Sequence, residues 1–224
     1  MRFPLAILLS LAAGSVAATP ALASTTSSAR ARTFAEVAPA LDSSILGLAL
    51  DATACARETG AIENERFLTI IDYSKASTEP RLWVLDLERD RVLFEELVAH
   101  GQGSGENFAS RFSNLDGSHQ TSLGLFRTAD TYVGSNGYSL RLDGLEPGVN
   151  DRARDRAIVM HGAPYVSDAN LRALGRLGRS HGCPALRPAI ARTVIDTIKN
   201  GSLVFAYYPD RQWLKGSRFL NGCS

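Results

Sequence analysis

Between residues 33 and 60 the apolar positions recur every three or four residues; beyond residue 66 they alternate or fall in short runs. The first spacing marks one face of a helix and the second marks strands. Leu41, Ile45, Leu48, Ala52 and Cys55 form the helical face, which ends near Gly60. Thr33 and Glu36 have capping-box spacing and predict that the helical region opens there. Seven strands are predicted, at residues 67–73, 82–87, 92–99, 123–128, 138–142, 157–160 and 203–208. Turn chemistry separates them at Glu88-Arg89-Asp90-Arg91, Asn136-Gly137 and Asp143-Gly144.

Two helices are predicted late, one over residues 167–177 and one opened by Pro188 and stopped by Asn200-Gly201. Short, evenly spaced strands favour a mainly β domain with flanking helices, a β-sandwich or barrel-like sheet, over a parallel α/β sheet. No composition break or internal repeat divides the chain, so residues 33–224 read as one domain.

The N-terminus has a different pattern. Met1-Arg2, an uncharged apolar stretch over residues 5–18 and Ala21-Leu22-Ala23 together read as a signal peptide over residues 1–23. The apolar run is short for a membrane span, and Leu11-Ala12-Ala13-Gly14-Ser15 has serine where a lipoprotein needs cysteine. Export without an integral membrane anchor is expected, with residues 24–32 a mobile leader. Loss of Arg2 leaves 23 basic against 23 acidic side chains, and a formally neutral chain carries no field for nucleic acid.

The candidate chemistry is Ser180-His181-Gly182-Cys183, preceded by His161-Gly162 at the end of the sixth predicted strand. Cysteine is the strongest protein nucleophile, histidine a base that works near neutral pH, and glycine lets backbone N–H groups turn toward one point. An exported cysteine is ordinarily half of a disulfide, and Cys183 could pair with Cys55 or Cys223. Its flanking residues favour the nucleophile. That leaves Cys55, on the helical face, and Cys223, beside the C-terminus, as the expected disulfide.

His161-Gly162 followed by Ser180-His181-Gly182-Cys183 resembles the signature of L,D-transpeptidases, the YkuD-type enzymes of peptidoglycan metabolism. The likeness extends over most of residues 65–190. His100-Gly101, Ser104-Gly105, Phe112-Ser113-Asn114, Ser122-Leu123-Gly124, residues 138–146 and Gly175-Arg176-Leu177-Gly178-Arg179-Ser180 look like the murein L,D-transpeptidase catalytic-domain branch. Many YkuD-type enzymes place Arg or Asn two positions after the cysteine. Here Pro184-Ala185-Leu186-Arg187 follows, and Arg187 is the candidate for that substrate contact.

The resemblance implies that Cys183 attacks the carbonyl between the third and fourth residues of a peptidoglycan stem peptide, expels D-alanine and forms a thioester. A neighbouring stem's amine resolves it into a cross-link between third residues; water would make the chain an L,D-carboxypeptidase-like hydrolase. His161 would be the base, with Gly162 fixing its tautomer and an imidazolium lowering the thiol's pKa. The amides of Gly182 and Cys183 would form the oxyanion hole, with His181 orienting or stabilising charge. A protein that keeps the fold only to bind peptidoglycan is the alternative from another class.

The remaining features are weaker. Arg172, Arg176 and Arg179 recur at helical spacing, and Arg176 and Arg179 are candidates for binding stem-peptide carboxylates; a solvated face is the competing reading. His100 and His119 read as residues of polar loops. The glycines of residues 101–105 lack the Lys-Ser/Thr ending of a phosphate cradle and read as a flexible loop near the site. Nothing supplies a second cysteine or a carboxylate at zinc-ligand spacing, so no metal or cofactor is expected. A monomer is expected.

Overall fold

The computed structural model describes residues 30–223, so the predicted signal peptide and residues 24–29 of the predicted leader lie outside the described residues. Residues 30–37 form helix α1, which therefore includes the last three predicted leader residues. The helix runs through Thr33, so the Thr33–Glu36 pair does not open it. The chain breaks at Pro39, which has no N–H to donate and disfavours the helical conformation before it. Asp42 then caps α2, Ser43–Glu58, its carboxylate accepting the Ser44 N–H at 2.7 Å. The expected apolar face packs inward, with Ile45, Ala52 and Cys55 buried.

The seven predicted strands all form: β1 Phe67–Asp72, β2 Leu82–Asp86, β3 Arg91–Glu96, β4 Gly124–Gly134, β5 Gly137–Gly144, β6 Val159–Gly162 and β8 Leu203–Tyr207. An eighth, β7 Ala185–Leu186, is too short for periodicity to reveal. Asp143 and Gly144 are not a turn. They extend β5 opposite Arg127 and Phe126, and Asp143 pairs with Arg154 at 2.6 Å. β4 outruns its prediction because a bulge at Thr128/Thr131 lets the hairpin continue to Gly134.

All eight strands join one sheet in the order β3-β2-β1-β8-β4-β5-β6-β7. Ala99, three residues past β3, pairs with Ala185 of β7 through N–H···O bonds of 2.9 and 3.4 Å, so the two edges of the sheet meet. The result is a mainly β, nearly closed barrel-like sheet with flanking helices. Two pairings are parallel, β1 with β8 and β6 with β7.

α3, Asp168–Leu174, is capped by the Ser167 hydroxyl and stopped by Gly175, whose φ of 64° is left-handed. It is therefore shorter than predicted, and Arg176 and Arg179 lie beyond it on a loop. α4, Pro188–Ile198, buries Ala191, Val194, Ile195 and Ile198 and packs on β6. α5, Arg211–Gly216, has no counterpart in the predicted elements; it plugs Trp213 into the core. No helix among the described residues is long and apolar enough to cross a membrane.

Candidate active site

His161 on β6 stands opposite Ala185 on β7 in parallel register. Cys183 and Val159 each lie two residues earlier, and a two-residue step keeps side chains on one face of a sheet. The Val159 N–H reaches Cys183 Sγ at 3.5 Å, just ahead of the first residue of β7. The topology thus brings His161 and Cys183 to one face. Both line a cavity of about 360 Å³ together with Arg156, Ala157, Tyr165, Arg179, Ser180 and His181. Cys183 is 7% exposed and His161 4%.

The turn carrying the cysteine is built from its own sequence. Ser180 Oγ donates to the Cys183 carbonyl at 2.7 Å and accepts the Gly182 N–H at 3.0 Å. Gly182 has a φ of 121°, and a Cβ there would stand 2.8 Å from the Gln120 carbonyl oxygen. On the other side, a Cβ on Gly101 would meet the Gly182 Cα at 2.8 Å. Thr121 Oγ1 fastens these two backbones, accepting from Gly101 N–H at 2.9 Å and donating to the Gly182 carbonyl at 3.2 Å.

Residues 100–105 are accordingly a packed support and not a flexible loop. His100 and Ser104 are buried, and Gln102 N–H donates to the Ser180 carbonyl at 2.8 Å. His100 Nδ1 lies 2.7 Å from the guanidinium of the fully buried Arg81. Burial first, and then the Arg81 charge, push its pKa down to about 4.

Burial dominates the electrostatics of Cys183 and His161 as well. It pushes the Cys183 thiol up, opposed by the Val159 N–H, the Arg156 charge and the cysteine's own N–H. It pushes the His161 imidazole down, opposed by the Gly162 carbonyl. Both shifts favour the uncharged forms, thiol and imidazole, over the thiolate and imidazolium that the resemblance implies. Gly162 O lies 3.0 Å from His161 Nδ1; a proton there leaves Nε2 as the basic nitrogen.

The family model for the L,D-transpeptidase catalytic domain matches residues 37–207. The chain belongs to that family. Among solved structures it is similar to L,D-transpeptidase 1 of Mycobacterium tuberculosis, at 15% identity, with 64% of this chain and 62% of that one covered and a TM-score of 0.36. An L,D-transpeptidase from Mycobacterium smegmatis gives 16%, 64%, 59% and 0.39 in the same order. The helical cell shape determining protein Pgp2 from Campylobacter jejuni gives 14%, 65%, 48% and 0.42. The chain therefore spans less than two thirds of the length of these chains. No curated protein matches it.

Within this L,D-transpeptidase domain the residues singled out from sequence separate into two groups. Cys183, His161, Ser180, His181 and Arg179 line the cavity, while Gly162 and Gly182 lie behind it, bonded to His161 and Ser180. Arg187 does not line it: its guanidinium grips the nearly buried Glu96 at 2.6–3.0 Å. Arg176 and Arg179 both pair with Glu106, at 2.9 and 2.8 Å. The Gly182 amide, expected in the oxyanion hole, is taken by Ser180; among the described residues the amides of His181 and Cys183 make no hydrogen bond to another residue. Cys55 and Cys223 are joined in a disulfide, which leaves Cys183 free.

Other residues at the cavity carried no chemical signal in the sequence. His119 is no isolated loop residue: its ring stacks on that of His181, with centroids 4.2 Å apart and planes 8° apart. Ala157 accepts the Cys183 thiol at 3.7 Å, and Arg156 and Tyr165 form cavity wall. A larger cleft of about 430 Å³ beside α5, lined by Phe112, Val149 and Trp213 among others, contains neither cysteine nor histidine.

Proposed function

We infer that the chain is an exported, monomeric cysteine peptidyltransferase that cross-links peptidoglycan stem peptides between their third residues. The observation carrying this reading is the placement of the free Cys183 beside His161 on one cavity wall, in a chain of the L,D-transpeptidase family. His161 Nε2 takes the thiol proton as the sulfur attacks the carbonyl preceding the terminal D-alanine. The protonated imidazole then gives that proton to the leaving amine, D-alanine departs, and the acyl group remains on sulfur as a thioester. An acceptor stem's amine attacks the thioester, His161 receives its proton, and the thiol is restored.

The Cys183 amide, unused by other residues, supports a role as oxyanion donor. His181, held flat against His119, supports a role at the rim, orienting substrate. The chemistry uses only the chain's own groups, with no metal or cofactor.

The test is mass spectrometry of muropeptides after incubation with the protein. Tetrapeptide stems lose D-alanine and appear joined between third residues, with tripeptide a lesser product. Tripeptide alone at saturating acceptor makes the chain an L,D-carboxypeptidase-like hydrolase. An intact donor with no acyl adduct on Cys183 leaves only a peptidoglycan-binding module.

A further inference from the structure

Arg156 stands in the same cavity wall as Cys183, immediately before Ala157, and is half-buried. Four of its N–H groups are spent on neutral oxygens. Nη1 donates to Ser113 O at 2.7 Å and Ser122 Oγ at 2.5 Å; Nη2 donates to Ser118 Oγ at 3.2 Å and Gln120 O at 2.7 Å. These bonds fix the guanidinium plane without neutralising it. The fifth, Nε–H, makes no bond to the described residues, and none of their carboxylates lies within ion-pair distance of the group.

The other arginines near the motif differ. Arg179, also in the wall, and Arg176 are paired with Glu106, and Arg187 with Glu96. Arg156 thus makes no ion pair among the described residues, Asp116 acting on it only from beyond pairing distance. A partly buried charge held rigid by neutral acceptors is a site for an incoming anion, and guanidinium suits carboxylate geometry.

We propose that Arg156 binds the carboxylate that ends the donor peptide one residue beyond the bond Cys183 attacks, so that the domain selects donors ending there. The assignment of that bond rests on the function proposed above. In a tetrapeptide stem the terminal carboxylate is attached to the α-carbon next to the scissile nitrogen. It therefore lies within about one residue length, roughly 3.5 Å, of the reacting amide. Carbonyl at sulfur and carboxylate at guanidinium fit one cavity. An extra residue on the donor would move the carboxylate past Arg156 and leave a neutral amide in its place.

The test uses Cys183→Ala protein and two ligands, the stem tetrapeptide as its free acid and as its C-terminal amide, with affinities measured by calorimetry. The acid is expected to bind at least about tenfold more tightly, in line with one charge-assisted hydrogen bond. Adding Arg156→Gln should remove most of that preference, and Arg156→Lys should retain part of it. Equal affinities for acid and amide with Arg156 present overturn the proposal, and that comparison needs no folded Arg156 variant. Equal weakening of both ligands by Arg156→Gln, with their ratio intact, also overturns it, because a purely structural clamp would behave so. Turnover by unsubstituted protein separates the two readings. Donor consumption without acid–amide discrimination removes the carboxylate site alone; discrimination in binding without donor consumption removes the transpeptidase alone.

Discussion

The carbonyl of Ala157 receives the Cys183 thiol from a backbone in the left-handed region, at a φ of 51°. A residue with a Cβ pays roughly 1–2 kcal/mol for that conformation. It persists because the preceding turn is over-determined: Ala157 N–H donates to Arg154 O at 3.0 Å, and Ile158 N–H to Ala153 O at 2.9 Å. The turn hands its strain to the wall of the cavity, where it aims one oxygen at the Cys183 sulfur.

Ala157→Gly should therefore stabilise the domain by about 0.5–1 kcal/mol, the steric relief exceeding the added chain entropy. Ala157→Val should destabilise it by about 1 kcal/mol or more, since a β-branched residue fits this region worse. Chemical denaturation of both variants checks the pair. Changes of the same sign in both would mean that the backbone angle is not what governs this position.

His100 makes the fold sensitive to acid. Its neutral ring is kept against Arg81, with a folded-state pKa of about 4 against an ordinary 6.5. The unfolded chain takes up the proton first. Stability is thus fully present above pH 6.5 and is lost as pH falls toward 4, by about 3 kcal/mol in all. Denaturant melts from pH 7 to pH 4 should show this slope in the parent chain and a flatter one in His100→Gln. Parallel slopes would assign the acid sensitivity elsewhere.

The sequence was legible where a residue's local pattern matches its role. The α2 face, Pro188 and Gly201 around α4, and all seven longer strands follow from spacing, although Asp143-Gly144 reads as a turn and lies in β5. Contacts between distant segments carried no such signal. β7 is two residues long, and the sheet closes through bridges between distant segments, Ala99 with Ala185 across 86 positions and Gly101 with Ser180 beside it. Arg156 sits among Arg152, Arg154 and Asp155, where composition suggests a solvated surface; only the fold turns it onto the cavity wall. Arg176 and Arg179 had helical spacing, but Gly175 ends the helix before they are reached. Conversely, Cys183 and His161 stood out because their chemistry is rare at that spacing, whereas the burial that shifts both groups toward their uncharged forms carried no local signal.

Arg187 illustrates the cost of reading a substrate contact from position alone. Its partner Glu96 has an 11% exposed side chain, and removing the guanidinium strands a carboxylate. Arg187→Ala should lower stability by about 1–3 kcal/mol while kcat/KM for stem peptides at a temperature well below Tm stays within about twofold. Loss of kcat/KM without loss of stability would return Arg187 to the substrate site.

The reacting pair yields the last prediction. Cys183→Ala removes the sulfur and should abolish turnover and acyl-adduct formation while melting like the parent. His161→Ala removes the proton acceptor and should slow acylation at least about a hundredfold. His181→Ala, which disturbs only a stacked ring at the rim, should be milder. Because burial raises the thiol and lowers the imidazole, alkylation of Cys183 in the free protein should be slower at neutral pH than that of an ordinary cysteine and should climb with pH. Acylation by substrate should instead hold steady on acidification until below the usual histidine range, near 6.5, since His161 stays unprotonated there. Pre-steady-state acylation and thiol alkylation across pH measure the two separately. Fast alkylation at neutral pH would show a thiolate already present, and a His181 variant more damaged than the His161 variant would exchange the two histidines' roles.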